Sequence, residues 1–163
     1  MKKLILLILS LIIITPYAEA AEIDTLLSET AAYVYSYTPS PTVGSVGGEW
    51  AVIGLKGSGF AVPDSYYEGY YNEVCRYTQE HGGVLSNSKY TEYSRVIIAL
   101  TAIGKDPTSV AGHDLIAPLA DERAVTKQGL NGAIWVLIAL DSGGYDIPLC
   151  RCRQFLNTAH ART

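Results

Sequence analysis

One phrase occurs three times along the chain and constrains the fold more than any other feature. The copies read WAVIGLKGSGFAVP, RVIIALTAIGKDP and WVLIALDSGGYDIP, and they begin at Trp50, Arg95 and Trp135. Each copy is an apolar run followed by a glycine and then a proline. Aligned on the last leucine of each run, the copies lie 45 and 40 residues apart. A period of about 20 to 50 residues is typical of repeat architectures, in which stacked units bury a shared core. The aligned leucines are Leu55, Leu100 and Leu140.

The apolar run of each copy is predicted to be a helix. The runs that end at Leu100 and Leu140 are apolar on every side, which fits either a buried strand or a buried helix. Length favours the helix, because the runs extend over 90–103 and 130–141 and exceed most strands. The glycine can end each helix, and the later proline prevents it from resuming. Helices that are apolar all round are expected to be enclosed by other helices.

The segments between the repeated phrases have one apolar side only. In VPDSYYEGYYNEVCRYTQEHGG, apolar and aromatic residues recur every three or four positions, with Asp64 or Ser65 as a cap and a Gly-Gly pair as the end. The segment 24–37 has the same spacing. Enclosed inner helices that alternate with amphipathic outer helices indicate an all-α array of helical hairpins.

The first 20 residues have the three parts of a secretory signal peptide. Lys2 and Lys3 precede an apolar run over 4–14, and the triplet AEA that ends at Ala20 fits the A-x-A cleavage pattern. The run is shorter than the roughly 20 residues that a membrane-spanning helix needs. We expect cleavage after Ala20, with a retained anchor as the alternative. A secreted, extracellular or cell-surface protein follows, without a membrane span once the signal is removed.

Residues 21–148 have the length of a single repeat domain, and 149–163 form an atypical tail for which disorder is one expectation. The net charge of −4 is mild and the acidic residues are scattered, so a nucleic-acid partner is not expected. The three cysteines, Cys75, Cys150 and Cys152, do not make a disulfide framework. The LCRCR sequence also lacks the spacing of a structural zinc site, and we predict neither a metal nor a cofactor.

Three long stretches resemble a known superfamily: GGEWAVIGLKGSGFAVPDSYYEGYY, YTEYSRVIIALTAIGKDPTSVAGHDLIAPLAD and KQGLNGAIWVLIALDSGGYDIP. They are similar to the prenyltransferase and squalene-cyclase-like repeat region of exported bacterial proteins, within the terpenoid cyclase/protein prenyltransferase α/α-toroid superfamily. The resemblance covers nearly all of 21–148. It implies an α/α-toroid, here an incomplete ring of about three hairpins.

An incomplete ring has two explanations. The chain is either a natural half-toroid whose open flank is covered by a partner or by a second copy, or the product of a truncated reading frame that lacks the rest of the toroid. The tail LCRCRQFLNTAHART favours truncation, because it lacks the apolar stripe of another outer helix. Exposed apolar faces would in either case favour self-association.

The chemistry of the superfamily's enzymes is not found in the sequence. The Asp-x-Asp-Asp cluster of the cyclases is absent, and Asp121 with Glu122 is more typical of a helix end or turn. The zinc ligands of the transferases cannot be placed, since His81 and His113 lie in loops and His160 lies in the tail. A thioester motif is also missing. The sequence therefore predicts no catalytic residue and favours a protein without enzyme activity.

Four residues are candidates for a ligand-lining inner surface: Trp50, Tyr93, Arg95 and Trp135. Trp50, Arg95 and Trp135 occupy the same offset in the three copies, and aromatic rings with one cation suit an organic ligand. The alternative is that the aromatics are core residues and that Arg95 makes an ordinary surface ion pair with Glu92. Asp141 is expected to accept hydrogen bonds from the turn that follows it rather than to act in catalysis.

These features predict an exported, non-catalytic binding or interaction module. The superfamily resemblance implies a hydrophobic or cobalamin-like small ligand as one version, and attachment to the cell envelope through another domain as a second. The alternatives are a fragment of a cyclase-like or prenyltransferase-like enzyme that lacks its catalytic half, and an inactive truncated product.

Overall fold

The computed structural model describes residues 22–44 and 47–146, and this part of the chain is helical. Within those ranges no strand is formed, and Val110 and His113 make an isolated β-bridge. The predicted all-α class is therefore confirmed. The α-helices, in chain order, are α1 over 22–37, α2 Glu49–Ser58, α3 Asp64–Glu80, α4 Tyr90–Ala102, α5 Glu122–Val125 and α6 Leu130–Gly143.

The repeated phrase ends α4 and α6 in the same way. After α4, the amide of Lys105 donates to the carbonyl of Leu100 at 2.9 Å, and the equivalent bond after α6 reaches Leu140 at 2.9 Å. Each bond spans a glycine with positive φ, 75° at Gly104 and 63° at Gly144. Glycine adopts this left-handed conformation without the steric cost that a side chain would add. The predicted helix ends at these glycines are confirmed.

Helix α3 is amphipathic, as its spacing predicts. It begins at Asp64, with Pro63 at the N-cap position. No side chain caps the helix by accepting a hydrogen bond from the amides of its first turn. The prediction that Asp64 or Ser65 caps the helix is therefore wrong. Proline has no amide to satisfy and its fixed φ leads the chain from an extended entry straight into the first turn. The buried residues of α3 are Tyr66, Tyr67, Tyr70, Val74 and Thr78.

Helices α2, α4 and α6 form a row in which α4 packs against both of the others. The three aligned leucines are buried in this row and belong to one hydrophobic core. Helix α4 is enclosed, as its all-round apolarity predicts. The same prediction is wrong for α6, because one side of that helix has no neighbour among the described residues and leaves Leu130, Ile134 and Ile138 exposed.

The segment before α6 departs from the expected alternation of inner and outer helices. Where a third outer helix was expected, 3-10 turns at Ala117–Ala120 and Thr126–Gln128 flank the 4-residue α5. The carboxylates of Asp114 and Asp121 each accept hydrogen bonds from two backbone amides that follow them. Such local bonds start new turns and compete with one continuous helix. The interpretation of Asp121 as a helix end is confirmed, since it caps α5.

Several sequence predictions concern residues outside the described ranges. These are the signal peptide over 1–20, the tail over 149–163, and with the tail Cys150, Cys152 and His160. In the ranges 22–44 and 47–146, no helix is long and apolar enough to cross a membrane. Cys75 is a free thiol.

Candidate functional site

The tryptophans of the first and third repeats meet across the row of inner helices. The ring centroids of Trp50 and Trp135 are 5.3 Å apart and their planes are inclined by 63°. This edge-to-face arrangement is a favoured geometry for aromatic pairs. Trp50 remains 42% exposed. The pair therefore presents an accessible aromatic surface that joins α2 to α6.

Arg95 occupies the equivalent position on α4 and forms an ion pair with a buried carboxylate. Its Nε atom lies 3.9 Å from Oε2 of Glu49, whose side chain is 0% exposed. The predicted pairing of Arg95 with Glu92 at the surface is not the ion pair that forms. Attraction between charges is stronger where water is excluded, and the guanidinium reaches towards α2 rather than along its own helix. The residue is therefore part of a partly buried charge pair.

Glu49 is held at the start of α2 by the loop before it. Its Oε1 atom accepts a hydrogen bond from the amide of Gly44 at 2.8 Å. As the first residue of the helix, it also faces the positive end of the helix dipole. Burial raises the pKa of the Glu49 carboxyl above its ordinary value, while the Gly44 amide and the charge of Arg95 act in the opposite direction.

Tyr70 of α3 adds a phenol to the surroundings of Glu49 and Arg95, and these three residues are called the polar region below. Its side chain is fully buried, and burial together with the negative charge of Glu49 holds its pKa well above the ordinary value, while Arg95 lowers it. The phenol oxygen, Oε2 of Glu49 and Nε of Arg95 are buried without a hydrogen-bond partner among the residues that the structure describes. Unpaired buried polar atoms are costly and uncommon. The 3.9 Å between Nε of Arg95 and Oε2 of Glu49 is long enough for one oxygen atom to bridge the two groups.

Tyr93, the fourth residue predicted to line the inner surface, lies elsewhere. It is buried, and its hydroxyl accepts a hydrogen bond from the amide of Leu85 at 3.1 Å and donates to the carbonyl of Gly83 at 3.5 Å. Residues two apart on a helix are separated by about 200° around its axis, so Tyr93 and Arg95 point to different sides of α4. The structure thus brings Trp50 and Trp135 together and pairs Arg95 with Glu49, the residue before Trp50. The contact of the four candidates with a ligand stays a prediction.

Two members of this polar region were not among the sequence candidates. Glu49 could have been found from the repeat, because it aligns with Ser94 and Ile134 on the later inner helices and is the charged member of that set. A charge at a position that is buried in a neighbouring repeat indicates a paired or functional group. Tyr70 has no comparable signal, since it is one of 12 tyrosines and has the spacing of an ordinary core residue.

The other polar residues considered in the sequence, His81 and Asp141, make contacts within the fold. The ring of His81 stacks on that of Tyr77 at 4.0 Å, and its Nδ1 lies 2.8 Å from the carbonyl oxygen of the same tyrosine. The backbone carbonyl of Asp141 accepts a hydrogen bond from Gly144 at 3.3 Å, as expected for a residue that precedes a turn. In the described part of the chain, no group of three His, Cys, Asp or Glu residues is placed to hold a metal.

A cavity of about 500 Å³ lies at the other end of α6 from the polar region. Its lining includes Leu137, Ile138 and Tyr145. The cavity is mainly apolar, and the chain continues from it into residues that the structure does not describe. It is therefore separate from the site around Trp50 and Glu49.

Comparison of the chain with known proteins finds no matching family model, no matching curated protein and no matching solved structure. The superfamily suggested by the repeated phrases therefore stays a prediction, and the geometry of the chain itself carries the functional argument.

Proposed function

We propose that this protein is an exported, non-catalytic binding module built as a partial α/α-toroid. In this proposal the Trp50–Trp135 pair and Arg95, whose side chain is 23% exposed, form the surface that faces the ligand, and the buried Glu49 carboxylate holds Arg95 in place. The observation that carries the proposal is the aromatic pair itself. Two tryptophans from equivalent repeat positions meet and stay accessible beside a buried charge pair with unpaired polar atoms.

The toroid arrangement is supported by the inner row and by the way its members end. Helices α2, α4 and α6 follow one another in space in their chain order. The equivalent positions Trp50, Arg95 and Trp135 give them a common side, and α1 and α3 precede the first two as outer helices. A concave side shared by stacked repeats is the usual binding surface of such arrays.

The chemistry of the region suggests the class of ligand. The tryptophan pair offers apolar and aromatic contact to a flat organic body, and such surfaces with a few convergent polar groups are typical of small-molecule sites. Arg95 can donate to an anionic or carbonyl oxygen of the ligand, whereas the phenol of Tyr70 is fully buried and is not part of the ligand-facing surface. A large ring system with amide substituents, such as a cobalamin, has both features.

The test is a binding measurement with cyanocobalamin and, separately, with an apolar aromatic dye. The sequence holds 2 tryptophans and both are in the pair, so their fluorescence reports directly on this site. Because cobalamin absorbs light, equilibrium dialysis is used as a second readout. We expect saturable binding of at least one probe, weakened about tenfold or more by Trp135→Leu, as for loss of a central aromatic contact.

A matched control is Tyr37→Leu, which removes an exposed aromatic ring of α1 that is not a member of the pair. This variant should bind like the original chain. Equal weakening by both variants, or no saturable binding of either probe by a chain that is folded by circular dichroism, would contradict the proposal.

A further inference from the structure

The row of inner helices has one open side at α6. The position occupied by Glu49 in α2 and by Ser94 in α4 is filled by Ile134 in α6. The first two side chains are 0% exposed, whereas Ile134 is 43% exposed. Ile138, one turn later, is exposed as well. In α2 this side meets the next inner helix of the row, because the Glu49 carboxylate pairs with Arg95 of α4.

The row has a second open side at α2, and it is the opposite one. Ala99 of α4 and Ala139 of α6 are fully buried small residues, five positions after Ser94 and Ile134 and so about 140° further around the helix axis. Their equivalent in α2 is Gly54, which is exposed. A Cβ atom built on Gly54 meets nothing within 4 Å. Helix α2 thus presents a shallow trough where its neighbours in the row are covered.

The two open sides are the two halves of one contact. Within the chain, the side represented by Glu49 meets the next helix through Arg95, and the side represented by Ala99 and Ala139, about 140° further around the axis, is buried as well. The exposed apolar side of α6 and the trough of α2 are the same two kinds of surface. Neither has a neighbour among the described residues. A ridge of large side chains that fits into a groove of small ones is the general mode of helix packing.

We propose that a second copy of this chain covers both open sides, with α6 of each copy docked on α2 of the other. The ridge consists of Leu130, Ile134 and Ile138, spaced four residues apart on one face of the helix. It packs over Gly54 of the partner copy. This continues the contacts that α2, α4 and α6 already make with one another.

A second copy is favoured over other occupants because it supplies both complementary surfaces at once. A two-fold axis forms the contact twice, so that neither copy keeps an open edge. A single contact between two helices is small beside the roughly 800 Å² per partner of a stable interface, and forming it twice doubles the area. The proposal does not depend on the binding function, because it rests on the exposed sides of α2 and α6 and its test uses no ligand. Gly54 lies one turn after Trp50 on the same face of α2, so the contact adjoins the tryptophan pair.

The test measures molecular mass by light scattering during size-exclusion chromatography of the purified chain over a range of concentrations. We expect a dimer that is converted to a monomer by Ile134→Glu and, separately, by Gly54→Arg. The first change buries a charge in an apolar contact, and the second fills the trough. Both positions are exposed within the chain, so circular dichroism should show an unchanged helical content.

The matched control is Leu26→Glu, which places the same charge on an exposed apolar residue of α1. This variant should remain a dimer. A chain that is monomeric without substitution, or a dimer that survives both Ile134→Glu and Gly54→Arg, would overturn the proposal. Open-ended assembly of the unsubstituted chain would overturn it as well, because the two-fold arrangement closes.

Mixing the two monomeric variants tests the pairing of α6 with α2. In the proposed arrangement the mixture keeps one intact contact, and the other brings opposite charges together at positions 54 and 134. We therefore expect a 1:1 complex from two monomers. If the surfaces instead pair α6 with α6, Gly54→Arg alone stays a dimer, and if the two substitutions do not share one contact the mixture stays monomeric; either result would refute this inference.

Discussion

Glu49 shows how one residue connects the repeat to the polar region. Its backbone begins an inner helix, while its carboxylate is buried, bonded to the Gly44 amide and paired with Arg95. Apolar or small residues fill the equivalent positions of the other repeats. An ion pair of this kind does not by itself indicate stability, because the cost of burying the charges offsets their attraction. Its place directly before Trp50 is the reason that it is included in the proposed binding site.

The titration of Glu49 leads to a prediction about pH. Burial raises the pKa of its carboxyl in the folded chain. The folded state then holds its proton more tightly than the unfolded state, and this residue's contribution to stability falls as pH rises from its ordinary pKa of 4.5 to the folded value. In Glu49→Gln this dependence is lost. The difference in unfolding free energy, original minus variant, should therefore decrease as the pH rises above 4.5.

Denaturant unfolding at several pH values measures this difference directly, with Glu29→Gln as an exposed control on α1. The opposite slope would mean that the Gly44 amide and Arg95 outweigh burial in setting the pKa of Glu49.

Tyr70 and Tyr93 provide a second contrast between single residues. Both phenols are buried, but the hydroxyl of Tyr93 is bonded to the backbone of the α3–α4 connection and that of Tyr70 has no partner in the described chain. Tyr93→Phe should lower the unfolding free energy by about 1 kcal/mol, the net value of a typical hydrogen bond. Tyr70→Phe should leave it unchanged or raise it. Equal losses in the two variants, measured by urea unfolding, would show that Tyr70 is also bonded in solution.

At the scale of elements, the helices follow from local signals. The expected helices over 90–103 and 130–141 are found as Tyr90–Ala102 and Leu130–Gly143, and that over 24–37 is found over 22–37. Local periodicity and the following glycine are sufficient in these cases. The third outer segment was not foreseen, because the turns that start at Asp114 and Asp121 replace a continuous helix. Short turns that are capped by aspartate contain too few residues to show a periodic spacing of apolar side chains in the sequence.

Two glycine substitutions should have opposite effects on helix stability. Gly104 ends α4 at a φ of 75°, so Gly104→Ala places a side chain in the left-handed region and should cost about 1 to 2 kcal/mol. Gly69 lies inside α3, and a Cβ atom there meets nothing within 4 Å. Gly69→Ala should stabilise by about 0.5 to 1 kcal/mol, since alanine favours the helix. Thermal unfolding of both variants gives the signs, and a loss at Gly69 would contradict this assignment.

At the scale of the whole molecule, the order of the inner helices explains both the proposed binding surface and the proposed self-association. Helices at the ends of a row keep one side uncovered, and here the uncovered sides are complementary. Apolar residues such as Ile134 and Ile138 are therefore exposed by their place in the row and not by their type. The sequence predicted this association only in general terms, from the expectation of an incomplete array.

The sequence by itself determined the helical class, the limits of the main helices and the three equivalent positions at Trp50, Arg95 and Trp135. These depend on residues within a few positions of one another, so local spacing is enough. Only the tertiary structure decided that the tryptophans touch, that Arg95 pairs with Glu49, that Tyr93 lies apart, and which side of α6 is uncovered. Each of these depends on how helices distant in the chain pack together, and the burial that sets their energies exists only once the packing has formed.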